Sequence, residues 1–352
     1  MKKKVWKVTG GILLGAVLLL AAGVLYLTVR EYRPAQVEAV PVSDGQSALA
    51  AGDAFSVMTY NVGYGGLSAG EDFFMDGGTG VQPESRELVE SNLAAIADII
   101  GEAEADILFL QEVDRDSRRS YHIDELAYFE QELGVDGSFA YNFRCDFIPY
   151  PIPPIGKVES GITTMTQYRV ESASRIALPE SFSWPVKTCN LKRCILETRI
   201  PVEGTDRELV LLNFHLEAYD SGEGKIAQSR MLAEKLAEEY AKGNYVIAGG
   251  DFNQTLEGMK SFGSYEEMED VWTPGEMSRE DIPEHFSFVM ADEYPTVRIL
   301  NEPYSGNYED SQVYVIDGFI VSDNLTVESV EVINTDFAYT DHQPVKMEIA
   351  LR

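Results

Sequence analysis

Five apolar runs in this chain end at a polar residue, and a sixth run directly follows one. The runs are short and strongly apolar, as expected of strands buried in an α/β sheet. In chain order the polar residues are Asn61, Glu112, His215, Asp251 with Asn253, Asp317, and Asp341 with His342. Because open α/β sheets carry their chemistry at the carboxyl ends of their strands, we expect these side chains to meet at one edge of the fold.

Each of these motifs taken alone also fits an ordinary structural role. Asp251-Phe252-Asn253 has the composition of a turn, and an Asp-His pair such as Asp341-His342 is common in surface loops. Strands in general end at polar residues, which accounts for one or two of the positions. The ordered set is different, because it supplies the carboxylate, amide and imidazole groups that metal-assisted hydrolysis of phosphate esters requires.

The segments around these residues resemble the endonuclease/exonuclease/phosphatase superfamily, which includes pancreatic-type deoxyribonucleases, apurinic endonucleases, bacterial sphingomyelinases and inositol-polyphosphate phosphatases. The matching segments are Thr59-Tyr60-Asn61, Leu110-Gln111-Glu112-Val113, Asn213-Phe214-His215, Gly250-Asp251-Phe252-Asn253, Ile316-Asp317 and Thr340-Asp341-His342-Gln343-Pro344-Val345. The resemblance extends from about Asp53 to Arg352. It implies an α/β (α+β) fold, a four-layer sandwich of two packed mixed β-sheets flanked by helices, with the site at one edge.

Composition is compatible with one large catalytic domain over residues 53–352. The chain has 352 residues and is 45% hydrophobic, so it has ample material for a core. Two helices are predicted between strands, over residues 83–101 and 224–242, because large apolar residues recur there at helical spacing. We expect the protein to be a monomer.

The oxygen-rich set of side chains suits a hard cation such as Mg²⁺, with Mn²⁺ or Ca²⁺ as alternatives. We expect Glu112 to be the first ligand, with Asn61 beside it. A second metal position is expected near Asp251, Asn253 and Asp341, although the number of ions stays open. Asp341 is therefore counted with Asn61 and Glu112 among the expected metal ligands.

The resemblance assigns the catalytic roles to two carboxylates, an amide and two histidines. Asp251 is expected to orient or deprotonate the attacking water, and Asn253 to hold that water and a phosphoryl oxygen. His215 and His342 are expected to donate to the phosphate and its developing charge. By the resemblance, Asp317 fixes the tautomer of His342.

Weaker matches concern substrate binding. Tyr141, Asn142 and Arg144 lie where the family often has extra phosphate contacts, although a plain loop explains them equally well. His122 and His285 match no motif, so surface or structural roles are expected for both.

Two departures from the family pattern bear on the substrate. Many nucleases of the family have a basic residue two positions after the metal-binding acid, where this chain has Asp114, and apurinic endonucleases have an acid where it has Gly63. Two apolar insertions, residues 72–78 and the proline-rich residues 147–154, could instead suit a lipid headgroup at a membrane. The alternative is that the Pro-Tyr-Pro stretch merely packs a rigid loop.

Net charge disfavours nucleic acid as the substrate. Acids outnumber bases 58 to 28, which gives a formal net charge of −30. Nucleic-acid binders gain affinity by neutralising phosphates with lysine and arginine. The nearest basic positions are Arg118, Arg119, Lys187, Lys192 and Arg193, and we expect them to lie on a solvated face. A local basic patch would still be sufficient for a nuclease.

The N-terminus has the composition of a membrane anchor. Lysines at positions 2, 3, 4 and 7 precede about 21 uncharged residues, which is enough to span the roughly 30 Å hydrocarbon core of a bilayer. We expect a cytoplasmic basic tail over residues 1–8, a transmembrane anchor over 9–29 and a linker over 30–52. Because basic residues stay cytoplasmic, the catalytic domain is expected outside the cell membrane, on a single-pass protein. A cleaved signal peptide is the alternative.

Three cysteines, Cys145, Cys189 and Cys194, do not have the spacing of a zinc site. Cys189 and Cys194 would either form a disulfide across a hairpin or remain free thiols.

Three functions are compatible with the sequence. The first is a membrane-anchored, extracytoplasmic, Mg²⁺-dependent phosphoesterase that hydrolyses a phospholipid or another small phosphodiester. The second is an extracellular nuclease that uses the same residues. The third is a catalytically inactive surface-binding module, which the complete set of acid, amide and histidine residues disfavours.

Overall fold

The computed structural model describes residues 2–220, 222–260, 262 and 271–352. Met1 and the side chains of residues 2–5, in the expected basic tail, lie outside the described part. The helices are α1 (Lys2–Arg30), α2 (Arg86–Ala103), α3 (Glu125–Leu133) and α4 (Glu223–Ala241). The strands are β1 (Val37–Val40), β2 (Leu49–Ala50), β3 (Ala54–Asn61), β4 (Ile107–Asp114), β5 (Gly137–Ile148), β6 (Gly156–Thr166), β7 (Ser172–Ala177), β8 (Cys194–Glu203), β9 (Glu208–His215), β10 (Tyr245–Asp251), β11 (Gln254–Leu256), β12 (Gly275–Met277), β13 (Phe286–Val289), β14 (Val297–Arg298), β15 (Val313–Tyr314), β16 (Asp317–Ser322), β17 (Leu325–Val332) and β18 (Val345–Leu351).

Two large mixed sheets form the body of the protein. The first has eight strands in the order β1-β7-β8-β9-β10-β16-β13, with β2 paired to β8. The second has six strands in the order β17-β18-β3-β4-β6-β5. Within them β9 and β10 run parallel, as do β3 and β4, whereas β16 is antiparallel to β10 and β18 is antiparallel to β3. The expected pair of mixed sheets is confirmed.

The alternation of side chains along the strands produces the layers. One face of each sheet contributes to a shared buried cluster that includes Val57 and Phe109 from one sheet and Leu211 and Ile247 from the other. Residues one position along point the opposite way, because successive side chains of a strand face opposite sides of the sheet. They pack against α2 and α3 on the six-stranded sheet and against α4 on the eight-stranded sheet. The result is the expected four-layer sandwich.

The helix α2 shows how local sequence sets these layers. Ser85 caps its first turn by accepting a hydrogen bond from the backbone N–H of Leu88 at 3.1 Å. The buried stripe of α2 includes Leu93 and Ile96, which face the six-stranded sheet. Both helices predicted from periodicity are present, and α2 begins a few residues after the expected position because Ser85, rather than Pro83, marks its start.

The segment expected to be a linker, residues 30–52, is instead part of the fold. Val37 pairs with Ile176 at the edge of the eight-stranded sheet, and β2 extends the same sheet beside β8. Leu49 is 1% exposed and belongs to the core between the sheets. The expectation of a free tether was wrong because these short apolar stretches pair with exposed strand edges.

Within the described residues, the N-terminal helix is long and apolar enough to cross a membrane over Trp6–Arg30. Its last turn contacts the globular part, where the Arg30 guanidinium forms an ion pair with Asp146. All three cysteines are free thiols, and Cys145 and Cys194 are buried.

Candidate active site

The predicted residues meet at one edge of the sandwich, where β3, β4, β9 and β10 end and where β16 and β18 begin. Register explains why they meet. Asp251 at the end of β10 is the direct partner of His215 at the end of the parallel strand β9 and of Asp317 at the start of the antiparallel strand β16. The sequence-based expectation that Asp317 ends a strand was therefore wrong. Its location at the site edge holds, because the first residue of an antiparallel strand lies beside the last residue of its neighbour.

Irregular backbone aims two of the side chains into the site. Glu112 has φ 56° at an irregularity in the pairing of β4 with β6, between Leu110 and Val113. Such β-bulges redirect a side chain away from the regular alternation. Asn253 has φ 50° immediately after β10. Left-handed conformations cost free energy for residues other than glycine, and Glu112 and Asn253 both adopt them in the site.

The glycine before Asp251 is required by geometry. Gly250 has φ 147°, and a Cβ atom at this position would lie 1.9 Å from the carbonyl oxygen of Phe214 on β9. Only glycine lets β9 and β10 approach closely enough to bring Asp251 beside His215.

Asp251 is the centre of the site. Its Oδ2 atom accepts a hydrogen bond from the Asn61 side-chain amide at 3.1 Å. The same oxygen lies 3.3 Å from Nε2 of His215 and 3.6 Å from Nε2 of His342. Its Oδ1 atom accepts from the backbone N–H of Asn253 at 2.8 Å. One carboxylate thus contacts four of the residues that the sequence motifs single out.

Burial and the neighbouring charges together set the pKa of the Asp251 carboxyl group. Burial raises the pKa of Asp251, the cationic form of His342 lowers it and the charge of Asp317 raises it, which leaves a pKa of about 7. A carboxyl group that titrates near neutral pH can accept a proton from water at physiological pH, as a general base must.

The two histidines of the site differ in protonation. The Nδ1–H of His342 donates to Oδ2 of Asp317 at 2.9 Å. Burial lowers the pKa of His342, but the carboxylates of Asp317, Asp251 and Asp341 outweigh this effect and raise the pKa well above its usual range. Burial lowers the pKa of His215, and the nearby Arg193 guanidinium lowers it further. The site therefore contains one imidazolium and one neutral imidazole.

Asn253 and Asn61 have clear roles as hydrogen-bond donors. The Asn253 amide donates to the carbonyl oxygen of Leu216 at 2.9 Å. The Asn61 amide nitrogen also contacts Glu112, at 3.3 Å, while its oxygen accepts from the backbone N–H of Gly63 at 3.1 Å. Because the nitrogen of Asn61 faces the carboxylates, its amide would have to turn before its oxygen could ligate a metal.

The donor set fits a divalent cation bound through oxygen. Glu112 and Asp341 both line the cavity, and their charges interact: burial raises the pKa of Asp341, His342 lowers it and Glu112 raises it again. A hard cation would relieve the repulsion between these two carboxylates. Ligand atoms of Asp251, Asp317 and His342 also lie within 4.8 Å of one another. In this second group, the hydrogen bond between Asp317 and His342 explains why their ligand atoms lie so close together.

Arg119 was missed as a site residue. It was expected on a solvated face, but its guanidinium stacks 3.7 Å above the ring of Tyr64, bonds Asp114 at 2.9 Å and lies 3.8 Å from Glu112. Asp114 occupies the position where family nucleases have a basic residue. Here that acid holds a buried arginine against the site, which a motif comparison by position does not reveal.

Other expected surface residues are buried as well. Lys192 is 5% exposed and Arg193 is 4% exposed, so the expectation of a solvated face was wrong for both. Arg193 lines the cavity, donates to the carbonyl oxygen of His215 at 3.1 Å and lies 3.5 Å from the buried Glu217. Buried partner acids, distant in sequence, hold these cations in place.

The three weaker candidates lie on β5 and are only partly brought to the site. Asn142 is buried and lines the cavity. Tyr141 and Arg144 are outside the cavity lining, and Arg144 lies 3.6 Å from Glu159. The two remaining histidines lie elsewhere, since His122 pairs with Asp116 and His285 pairs with Asp323.

The site opens into a cavity of about 610 Å³. Its floor contains Glu112, His215, Asp251, Asn253, Asp341 and His342. Its walls are largely apolar and come from both insertions, with Phe74 from one packed against Tyr150 from the other at 5.6 Å between ring centroids. A cavity of this size, with apolar walls and a polar floor, accommodates a small organic ligand whose polar part faces the floor.

Comparisons with known proteins agree with this geometry. Residues 58–342 match the model of the Endonuclease/Exonuclease/phosphatase family. No curated protein sequence matches the chain. Among solved structures, an endonuclease/exonuclease/phosphatase from Beutenbergia cavernae DSM 12333 is similar with a TM-score of 0.60 and 18% identity, over 85% of this chain and 72% of that chain.

Two further structures show the same fold. One from Bacteroides vulgatus has a TM-score of 0.55 and 15% identity, over 85% of this chain and 100% of that chain. The catalytic domain of human nocturnin, with a bound sulfate anion, has a TM-score of 0.52 and 17% identity, over 85% of this chain and 95% of that chain. Members of the family are hydrolases of phosphoester bonds. The family match spans most of the sequence, and the chain belongs to the endonuclease/exonuclease/phosphatase family.

Proposed function

We propose that this protein is a membrane-anchored, extracytoplasmic phosphodiesterase that hydrolyses a phospholipid or another small phosphodiester. The observation that carries the proposal is the position of Asp251, which contacts both histidines and Asn61 at the floor of an apolar cavity. The helix α1 is the proposed anchor, since it is long and apolar enough to cross a bilayer.

Asp251 is the proposed base. Its carboxylate faces the cavity and has a pKa of about 7, so it is partly ionised at neutral pH and can take a proton from a water molecule. Asn253 holds the carboxylate in place through its backbone N–H and positions its own side chain at the same end of β10.

His342 is the proposed proton donor and electrostatic stabiliser. Its imidazolium is held by Asp317 at 2.9 Å, and a cation fixed in a buried site stabilises the charge that develops on phosphoryl oxygens. Burial and the nearby Arg193 lower the pKa of His215, which favours a neutral imidazole that can accept or donate one hydrogen bond without adding charge. Arg119 adds a fixed positive charge close to Glu112.

Glu112 and Asp341 are the residues proposed to hold a divalent cation, with Asn61 as a third ligand if its amide turns. When bound, such a cation would neutralise charge on the phosphoryl oxygens. The hydroxyl of Thr340 donates to Oδ1 of Asp341 at 3.1 Å and so orients this carboxylate. Mg²⁺ is the proposed metal because all these ligand atoms are oxygens.

Charge and cavity shape favour a lipid or small ester over nucleic acid. The net charge of −30 opposes binding of a polyanion, and the basic residues Arg119 and Arg193 are buried in ion pairs rather than arranged along a groove. The apolar cavity walls would shelter a hydrophobic alcohol or acyl portion next to the phosphate.

The test is turnover by the full-length protein in nanodiscs. Substrates would be phosphatidylcholine and sphingomyelin in the bilayer, inositol phosphates, RNA and supercoiled plasmid, each with Mg²⁺ and with EDTA. We expect metal-dependent cleavage of a lipid or small ester that is abolished in His342→Ala and Asp251→Asn. His285→Ala is the matched control, because that histidine is exposed and pairs with Asp323 at the other end of β16.

Each result has a clear meaning. Cleavage of plasmid or RNA at moderate salt, with no lipid turnover, would favour the nuclease. Equal activity in His342→Ala and His285→Ala would refute the proposed mechanism. A folded protein with no activity on any substrate with Mg²⁺, Mn²⁺ or Ca²⁺ would favour a binding module.

A further inference from the structure

Five large apolar side chains are exposed on two segments beside the cavity, the end of β5 with the loop that follows it and residues 184–186. Their exposed fractions are 43% for Phe147, 67% for Tyr150, 95% for Ile152, 58% for Trp184 and 52% for Val186. We refer to them as the apolar rim. Exposure of several large apolar residues together on a soluble surface is unfavourable in water and marks an interaction surface. Packing of a rigid loop by the Pro-Tyr-Pro stretch does not account for Ile152, which is almost fully exposed.

The end of the apolar N-terminal helix is bonded to the segments that carry this rim. The indole N–H of Trp184 donates to the hydroxyl of Thr28 at 3.1 Å. Arg30 forms a 2.5 Å ion pair with Asp146, the residue before Phe147. These contacts fix the position of the rim relative to the helix axis.

Apolar packing and a buried ion pair also connect the end of α1 to the globular part. Leu27 packs against the buried cluster of Cys145, Ile148 and Val158 at the base of the first segment. Just after the helix, Glu31 accepts from Lys192 at 3.0 Å, and both side chains are less than 5% exposed, at 2% and 4%. A buried ion pair of this kind is costly to break, so it holds the end of α1 firmly against the globular part.

The length of the helix sets the height of the rim relative to the bilayer. The apolar helical stretch Trp6–Arg30 has 25 residues. At 1.5 Å per residue it is about 37 Å long, which exceeds the roughly 30 Å hydrocarbon core. Because the charged residues Lys7 and Arg30 bound the apolar run, an α1 that crosses the bilayer would have its last turn near the lipid headgroups. Because Trp184 and Asp146 are bonded to that turn, the rim lies at the same level.

The rim and the active site share one cavity. Tyr150 and Val186 of the rim line the same cavity as Asp251 and His342. The mouth of the cavity is therefore bounded by residues at headgroup level. With a net charge of −30 the protein gains nothing from electrostatic attraction to an anionic membrane, so apolar insertion is the available mode of contact.

We propose that the apolar rim is embedded in the interface of the bilayer that α1 crosses, so that the cavity opens onto the membrane surface and receives its ester from lipids of that leaflet. The inference rests on the proposed function in two respects, which are that α1 is a membrane anchor and that the site hydrolyses a phosphate ester. It adds an orientation of the cavity, a contact surface of five named residues and a route for the substrate.

The test uses fluorescence of single-tryptophan proteins in full-length form. The chain has three tryptophans, Trp6, Trp184 and Trp272. Trp6→Phe/Trp272→Phe leaves Trp184 alone, and the matched Trp6→Phe/Trp184→Phe leaves Trp272, which bonds the carbonyl oxygen of Ala218 inside the cavity wall. Each protein would be placed in phosphatidylcholine nanodiscs with bromine near the headgroup end or near the tail end of the acyl chains.

We expect Trp184 to lose most of its emission to bromine near the headgroups and less to bromine near the tail ends, whereas Trp272 changes little. Phe147→Ser/Ile152→Ser in the Trp184-only protein should reduce the quenching severalfold. Val42→Ser, at a residue that is 45% exposed outside the rim, should leave it unchanged.

Co-flotation tests whether α1 is an anchor, and quenching of Trp184 tests whether the rim contacts the membrane. If the full-length protein does not co-float with liposomes, the anchor and the proposed function fail. If it co-floats but Trp184 is not quenched, the rim does not contact the membrane and the inference is wrong. Cross-linking of two chains through the rim in nanodiscs, again without quenching, would identify a second copy of the chain as the partner and would also overturn it.

Discussion

At the scale of single residues, the site shows how the environment makes two identical side chains differ. Three carboxylates raise the pKa of His342 against the effect of burial, whereas burial and then Arg193 lower the pKa of His215. One residue, Asp317, makes the direct hydrogen bond that distinguishes His342. A carboxylate partner fixes both the orientation and the charge of an imidazole.

This difference predicts the effect of Asp317→Asn. An amide cannot hold the imidazolium as a carboxylate does, so the pKa of His342 should fall, and kcat should decrease by on the order of 10²–10⁴-fold. The alkaline limb of the pH–rate profile should move to lower pH, because His342 loses its proton earlier. The measurement is kcat across pH 5–10 on whichever ester the enzyme hydrolyses.

The chain offers a matched control in a second acid–histidine pair. Asp323 lies 3.0 Å from His285 on the exposed surface, so Asp323→Asn should leave the profile unchanged. A decrease in kcat without any movement of the alkaline limb would show that Asp317 has a structural role only.

Arg119 gives a second prediction at this scale. Arg119→Met leaves the fully buried carboxylate of Asp114 without its ion-pair partner, so the free energy of unfolding should fall by about 3 kcal/mol. Asp114→Asn in the same chain should restore part of the loss. Denaturant unfolding measures both changes. Arg118→Met is the control, since Arg118 is the exposed neighbour of Arg119 in sequence. An equal loss in that variant would contradict the argument.

At the scale of helices and strands, the sequence predicts what is local. The strand-end motifs identify five strands that reach the site, and apolar spacing identifies α2 and α4. Pairing between distant segments is not encoded in such patterns. The sequence therefore misplaced Asp317 at the end of a strand and missed that residues 37–40 and 49–50 join the sheet. The burial of Lys192 was missed for the same reason, because its partner acid Glu31 lies far away in the chain. Arg119 is different, since its partner Asp114 is only five residues away and what was missed is that this acid is itself buried.

The attachment of α4 to its sheet yields a prediction about pH. Glu239 on α4 is fully buried and bonds Arg199 of β8 at 2.6 Å and Lys235 at 2.8 Å. Burial raises the pKa of Glu239, but these cations and Lys242 outweigh burial and hold the pKa below its usual range. The carboxylate thus stabilises the fold above the unfolded pKa of about 4.3, and the contribution is lost as the pH falls through the folded pKa.

Glu239→Gln should therefore lower the free energy of unfolding at pH 7 by about 2 kcal/mol, because it removes a buried carboxylate that Arg199 and Lys235 share. Both cations keep Glu197 as a partner, which limits the loss. The difference from the unaltered protein should shrink below pH 4. Glu238→Gln, the exposed neighbour that is also paired with Lys242, should have little effect at any pH. A loss for Glu239→Gln that is the same at pH 7 and at the lowest pH where the protein is folded would exclude the charge effect.

At the scale of the whole molecule, an acidic protein brings four of its carboxylates together at the active-site edge of the sandwich. The net charge is −30, and Glu112, Asp251, Asp317 and Asp341 meet at one edge of the fold, where Arg193 and Arg298 also line the cavity. Arg119 and His342 offset part of this charge. A bound divalent cation would remove the remaining repulsion, so metal binding and folding should be linked.

The linkage predicts that Mg²⁺ raises the thermal midpoint. At a concentration 100-fold above the Kd, a ligand that binds only the folded state stabilises it by about 2.7 kcal/mol, which for a domain of this size is a shift of roughly 5 °C. Ionic strength would be matched with potassium chloride, and EDTA should reverse the shift. Glu112→Gln should abolish most of it, because it removes the expected first ligand, whereas Glu102→Gln on the exposed face of α2 should keep it. If Glu112→Gln shows the full shift, the cation binds elsewhere on the acidic surface and the assignment of Glu112 as a ligand is wrong.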